Sequence, residues 1–164
     1  MKLYGLIAVA LFSLVLQLSF LPALRPFGVV PNIVLIVIAA AALSGPLVTA
    51  MILGMVCGFL LDLVSGSDFG LNTGLLAFGV IIAAYVSRSG LQLGIRVQLL
   101  FVILGVTTVT AIIGILGLLI SGGRISIGTA IFQSITILIL NCSLGVIVGP
   151  ACAWLAKQNE LYGG

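Results

Sequence analysis

The length of the apolar stretches constrains this chain more than any other feature. From Ile33 to Val64 the sequence holds one charged residue, Asp62. A helix that crosses the hydrocarbon core of a bilayer needs about 20 apolar residues, so this stretch can supply more than one crossing. Strands of a membrane barrel would alternate apolar and polar positions, and the run from Ile33 to Ile38 does not alternate. The pattern therefore predicts an all-α bundle of membrane helices.

Composition and charge agree with a membrane protein and argue against nucleic-acid binding. Hydrophobic residues make up 62% of the chain and charged residues 5%, whereas soluble domains are about one quarter charged. The net charge of +3 comes from single basic residues at the ends of apolar runs, with no basic patch. Such residues indicate topology, because positive charges that flank spans stay on the cytoplasmic side. They are Lys2, Arg25, Arg88, Arg96, Arg124 and Lys157.

Loop signals divide the chain into six spans. The first span is expected to end at Pro22, and Ser44-Gly45-Pro46 splits the long second run because proline removes a helix hydrogen bond. We read the first span as retained rather than as a cleaved signal peptide, because its apolar run is too long for a signal core. The whole chain, 1–164, is then one membrane domain. The expected spans are 3–21, 32–44, 46–64, 71–87, 97–120 and 129–156, the second of them short for a bilayer.

Basic residues favour six spans over five and place both termini in the cytoplasm. With six spans, only Arg25 and Arg124 lie on the side opposite the termini. With five spans the distribution reverses, and most basic residues fall outside. Whether the short second span crosses fully stays open.

Small residues and one carboxylate form a stripe on the third span. Ala50, Gly54, Gly58, Asp62 and Gly66 recur every four residues and therefore share one helix face. Gly-x-x-x-Gly spacing lets a neighbouring helix approach closely, so the stripe is expected to face protein. A carboxylate within a span is costly and needs a reason. The alternatives are a proton or cation site, a substrate anchor, a partner contact, or a cap on the next helix or turn. The position near the span's end favours a structural or partner role.

Other polar residues within spans are expected to form hydrogen bonds between helices. They are Ser13, Gln17, Thr107, Thr108, Thr110, Gln133, Ser134 and Asn141. Catalysis is hard to build, because the chain has no histidine and three acidic residues. A metal site shared by Asp62 and Asp68 is a weak alternative. We expect no enzyme activity, no metal and no cofactor.

Several motifs follow one another in a recognisable order. They are Pro31-Asn32, the small-residue hairpin from Gly45 to Gly58, and Gly58-Phe59-Leu60-Leu61-Asp62, followed by Gly66, Gly70, Leu71 and Tyr85. In this order they resemble the bacterial rod shape-determining protein MreD family. The match lies mostly between Pro31 and Arg88, although the layout agrees over nearly the whole chain. The chain departs from the family in having few charges in its cytoplasmic loop.

The resemblance implies a six-helix inner-membrane component of the cell-elongation machinery. Its expected partners are the single-span protein MreC, indirectly MreB and peptidoglycan synthases, and membrane lipids. In helix arrangement the family is similar to substrate-binding subunits of energy-coupling-factor transporters, so a vitamin-like uptake subunit is the first rival and an ion-conducting protein the second. By the same resemblance Asp62, Gly58, Gly66 and Gly70 would set the junction of the third and fourth spans, and Pro31 and Asn32 would start the second. Gly54 belongs to the same packing surface.

Overall fold

The computed structural model describes residues 2–24, 28–65, 70–89, 94–121 and 126–161, and these residues are helical apart from short connections. Five stretches among them are long and apolar enough to cross a membrane: Tyr4–Ala23, Leu47–Val64, Leu71–Arg88, Ile95–Leu116 and Gly128–Ala151. The chain is therefore a multi-pass helical membrane protein. Its helices are α1 (Lys2–Ser19), α2 (Leu21–Leu24), α3 (Ile33–Ser44), α4 (Leu47–Ser65), α5 (Leu71–Arg88), α6 (Ile95–Ser121) and α7 (Ile127–Leu161).

Helix α3 is the centre of the bundle, and the long helices form a ring around it. Around the ring, α1 contacts α4, α4 contacts α5, α5 contacts α6, α6 contacts α7, and α7 returns to α1. Each of these five helices also contacts α3. Helix α3, with 12 residues, is thus enclosed by the five helices that are long enough to span.

The sequence of α3 explains why it lies inside. All its residues from Val34 to Ala42 are buried. A helix that is apolar all round has no face to turn toward water and can be packed on every side. Four consecutive alanines, residues 39–42, keep it thin enough for several neighbours to approach at once.

With α3 counted between α1 and α4, successive helices alternate in direction. At one end of the bundle, a single cavity wall combines Gln17 of α1, Asn32 before α3, Asn72 of α5, Thr110 of α6 and Asn141 of α7. At the other end, residues of the α3–α4 turn meet the end of α5 and the start of α6. The ring therefore has two distinct ends, here called the polar end and the arginine end, and α1 begins and α7 finishes toward the arginine end.

The first span differs from the sequence prediction at Pro22. The prediction that this helix ends at Pro22 is wrong: α1 ends at Ser19, and the short helix α2 then carries the chain through Pro22 to Leu24. Pro22 is the second residue of α2, where a helix has no internal acceptor for a backbone N–H, so proline is tolerated. The other helices begin and end within a few residues of the predicted spans, with α7 extending to Leu161.

The outer face of the ring is apolar. Large exposed hydrophobic side chains occur on every ring helix, such as Phe12, Ile52, Ile81, Phe101 and Ile139. Contiguous apolar surface of this kind is unstable in water and suits lipid tails or other membrane helices.

The packing around α3 predicts that no larger side chain fits at Ala40, which is fully buried. Replacing it by leucine should lower the stability of the bundle by about 1–3 kcal/mol, because the added atoms force the ring helices outward. Ala151→Leu is the matched control, since Ala151 is exposed on α7. Unfolding of the purified protein by SDS in mixed micelles measures both. Equal stability of the two variants would contradict the enclosed position of α3.

Candidate functional site

Asp62 lies near the end of α4 and binds the start of α5 across the loop. Its side chain is 3% exposed. Oδ2 accepts hydrogen bonds from Gly70 N at 3.1 Å, Thr73 N at 3.1 Å and Thr73 Oγ1 at 2.6 Å. Oδ1 accepts from Asn72 N at 2.8 Å and Asn72 Nδ2 at 3.0 Å. Asp62 thus makes the contacts of a helix cap.

This capping follows from the chemistry of a helix start. The first turn of a helix leaves backbone N–H groups without partners, and a carboxylate there also meets the positive end of the helix dipole. The N-cap of α5 is Gly70, which has no side chain to supply an oxygen. Asp62 supplies both of its oxygens from the preceding helix instead. Its acceptors are occupied by α5, which leaves little capacity for an ion or a substrate.

Two glycines allow Asp62 to reach α5. Gly70 has φ +93°, a left-handed conformation that residues with a Cβ adopt only at a cost. At Gly58 a Cβ would lie 2.5 Å from Thr73 Cα and 2.8 Å from Thr73 N, so only glycine fits between α4 and the backbone of α5. Gly58 and Gly70 therefore position the same junction.

Ala50 and Gly54 of the predicted stripe also face protein, but the neighbours of Gly54 are less close than those of Gly58. Ala50 is fully buried. A Cβ at Gly54 would meet Ile38 Cγ2 at 3.2 Å and Val80 Cγ2 at 3.6 Å, a contact that flexible side chains can relieve. Gly66 and Asp68 lie outside the described residues, so the metal alternative with Asp62 has no described geometry. Among the described residues, no group of three metal-binding side chains occurs.

Pro31 and Asn32 lead into the buried helix α3. Asn32 is its N-cap, and Asn32 Oδ1 accepts from Leu35 N at 2.9 Å. Pro31 is buried beside it, and its carbonyl oxygen accepts from Gln17 Nε2 at 3.0 Å. The predicted start of this helix is where the structure has it.

Side chains from two other helices complete the cap of α3. Gln17 Oε1 of α1 accepts from Ile33 N at 2.9 Å, and Asn141 Oδ1 of α7 accepts from Asn32 N at 2.7 Å. The sequence predicted that both residues form hydrogen bonds between helices, but it did not predict their partners. Their partners are the backbone at one helix start. The signal that could have found them is the shortness of α3, which brings an unpaired helix terminus inside the bundle.

The caps of α3 and α5 border a cavity of about 200 Å³ at the polar end. Its polar lining groups are amides and hydroxyls from five elements. They are Gln17, Asn32, Asn72, Thr107, Thr110 and Asn141. A larger cavity of about 360 Å³ lies beside it, between α6 and α7, and shares Thr107, Thr110 and Ile137 with it. Polar groups from five elements thus converge on one cavity, an arrangement that a single sequence does not reveal.

The arginine end has a different character. A cavity of about 400 Å³ is lined there by the end of α3, the end of α5 and the start of α6, including Ser44 and the exposed Arg88. Ser44 Oγ is buried and has no hydrogen-bond partner among the described residues. The α3 terminus that faces this cavity carries backbone carbonyls, which repel anions.

No family model matches this sequence, and neither a curated protein nor a solved structure matches it. Assignments of function therefore rest on the residues and their geometry.

The cap geometry predicts that Asp62→Asn weakens the fold itself. An asparagine amide would turn one acceptor into a donor that faces backbone N–H groups, and a buried group left without a partner costs about 1–3 kcal/mol. Thr73→Val, which removes the hydroxyl bonded at 2.6 Å, should have a smaller effect in the same direction, whereas Thr73→Ser should preserve stability. Thermal unfolding in mild detergent measures all three. An Asp62→Asn protein as stable as wild type, with altered ion flux in liposomes, would favour the ion-conducting rival.

The α4–α5 contact predicts opposite outcomes at two glycines. Gly58→Ala should destabilise the protein by about 1–3 kcal/mol, because the new methyl group meets backbone atoms that cannot move independently. Gly74→Ala should be neutral or stabilising by up to about 1 kcal/mol, since no neighbour among the described residues lies within 4 Å of its Cβ position and alanine favours helix. Parallel melts of the two variants test the contact. A similar loss at both positions would contradict it.

Proposed function

We propose that this chain is a non-enzymatic scaffold of the bacterial cell-shape complex, of the rod shape-determining MreD type, and acts in the inner membrane. The observation that supports this proposal best is the placement of the residues that resemble the family. Pro31, Asn32, Gly58, Asp62 and Gly70 all lie at helix starts or helix junctions of the polar end. These residues hold a bundle together rather than perform chemistry.

The described part of the chain offers partner surface rather than a reaction centre. Its buried carboxylate is committed to backbone and side-chain donors of α5, and the outside of the ring is apolar. Membrane helices associate through close packing of such surfaces without a hydrophobic driving force. The proposed partner is the single transmembrane helix of MreC, which would link the bundle to MreB and to peptidoglycan synthases. Lipid covers the remaining surface.

The proposal includes six crossings with both termini in the cytoplasm. Helix α3 has 12 residues and spans about 18 Å, against a hydrocarbon core of about 30 Å. The non-helical residues 29–32 can add up to about 13 Å, which covers the difference. Arg88 and Arg96 then lie at the same end as both termini, as the positive-inside rule requires of a cytoplasmic side.

One observation favours a second candidate, a small-ligand uptake subunit with the helix arrangement of energy-coupling-factor binding subunits. That observation is the polar cavity beside the start of α3. A scaffold does not need a cavity lined by converging amides and hydroxyls, whereas a ligand-binding subunit does.

The scaffold proposal predicts that depletion of this protein makes rod-shaped cells wider and rounder, and that wild-type protein restores their width. Tagged protein purified in mild detergent should recover MreC and synthases by mass spectrometry. The Thr108→Val variant, changed at an exposed position, is the control that should restore width fully. Unchanged cell shape after depletion, or recovery of an ATPase-linked transport module in place of MreC, would overturn the proposal.

A further inference from the structure

The polar cavity beside the start of α3 is the most distinctive unexplained feature of the bundle. It has a volume of about 200 Å³ and is enclosed by parts of α1, α3, α5, α6 and α7. The described residues that line it carry no ionisable side chain. A cavity of this kind within a membrane protein is polar without being charged.

The surrounding hydrogen bonds make the cavity unsuitable for an ion. Asp62, which accepts hydrogen bonds from the lining residue Asn72, has both carboxylate oxygens bonded to the first turn of α5. The backbone N–H groups of Asn32, Ile33 and Leu35 at the start of α3 are also taken by side-chain oxygens. An ion entering here would lose its hydration and gain no opposite charge, which is strongly unfavourable.

The cavity walls still contain uncharged groups that are able to form hydrogen bonds. Thr107 and Thr110 donate their hydroxyl protons to Ile103 O and Val106 O of their own helix, so their oxygen lone pairs stay able to accept. Asn141 is 3% exposed and uses its Oδ1 on Asn32 N, while its amide nitrogen donates to none of the described residues. The walls thus offer an amide donor and hydroxyl acceptors to one occupant.

The adjoining cavity supplies an apolar extension. Its volume is about 360 Å³, and most of the wall that it does not share with the polar cavity is apolar, including Val29, Ala111 and Ile115. Gln133 and Ser134 of α7 are the polar residues of that wall. Gly114 on the same wall is exposed, so this cavity reaches the outer face of the ring between α6 and α7. The two cavities meet at the three lining residues that they share, so one elongated molecule could occupy both.

We infer that these two cavities form one binding site for an uncharged amphipathic molecule. Its hydrogen-bonding head, such as a glycerol or amide group, binds Thr107, Thr110 and Asn141. Its apolar part lies against Ala111 and Ile115 and leaves toward the lipid. The inference does not depend on the scaffold role, since a bundle that binds a helical partner on its outside can hold a lipid-like molecule within.

The test uses two photoreactive probes in nanodiscs that contain the full chain. One is a monoacylglycerol with a diazirine in its acyl chain, and the other is a fatty acid with the same chain and an ionised head. Labelled residues are mapped by mass spectrometry. The monoacylglycerol should label residues 111–115 and 130–137 severalfold more than the fatty acid does. Equal labelling by the two probes would overturn the inference, and a cavity that holds only water gives that result.

Matched variants locate the head group. The double variant Thr107→Val and Thr110→Val keeps the side-chain shape and removes the acceptors, so labelling by the monoacylglycerol should fall to the fatty-acid level. Thr108→Val is the control, because Thr108 makes the same bond to its own helix, at 2.7 Å, but is exposed. Gly114→Leu, at a position where no described neighbour lies within 4 Å of the Cβ, should block the apolar cavity and also reduce labelling. Thermal melts show whether each variant is folded.

Competition distinguishes the source of the molecule. Protection of the site by unlabelled glycerol indicates a ligand taken from the aqueous side, whereas protection only by unlabelled monoacylglycerol indicates a membrane lipid. Both results support the site. Labelling of the double variant at the wild-type level, or labelling that neither competitor reduces, would overturn it. Loss of cell-shape partners in purification bears on the scaffold proposal alone and leaves these results unaffected.

Discussion

The backbone N–H groups at the start of α3 must find partners inside the protein, because this end lies in a cavity wall rather than in bulk water. Most helices in a membrane bundle avoid the difficulty by ending at the lipid headgroups. Helix α3 is too short for that, and Asn32, Gln17 and Asn141 supply the missing acceptors. These bonds fix α1, α3 and α7 relative to one another. The rest of the ring packs around a helix held in this way.

The same physical constraint organises the α4–α5 junction with different residues. There the N-cap is a glycine, and the acceptor comes from Asp62 one helix earlier. Gly58 removes the side chain that would keep α4 from the backbone of α5. A carboxylate that looks like a functional charge in the sequence is thus explained by the demands of a helix terminus. Its burial does not require an ion, a proton pathway or a substrate.

Much of this arrangement could be predicted from the sequence, and the remainder has identifiable reasons. Apolar runs and loop residues predicted the helices. The four-residue spacing predicted that the side of α4 that carries Asp62 faces protein. The enclosure of α3 was not predicted, because an apolar side chain has the same character against lipid and against another helix. The partner of Asn141 lies 109 residues away, and local patterns do not specify such a pairing. The prediction that Pro22 ends a helix failed because a new helix, α2, begins at Leu21, one residue before it.

The distance along the chain between the two cross-helix caps of α3 bears on how the protein is made. Gln17 precedes Ile33 by 16 residues, so both partners of this cap are present in the nascent chain once α3 has been synthesised. Asn141 follows Asn32 by 109 residues and is synthesised only with α7. Until α7 is present, Asn32 N lacks its acceptor and α3 is uncovered on the side where α7 packs. A bundle synthesised only as far as α6 is therefore open along the α7 side, and insertion of α7 both closes the ring and completes the hydrogen bonds at the start of α3.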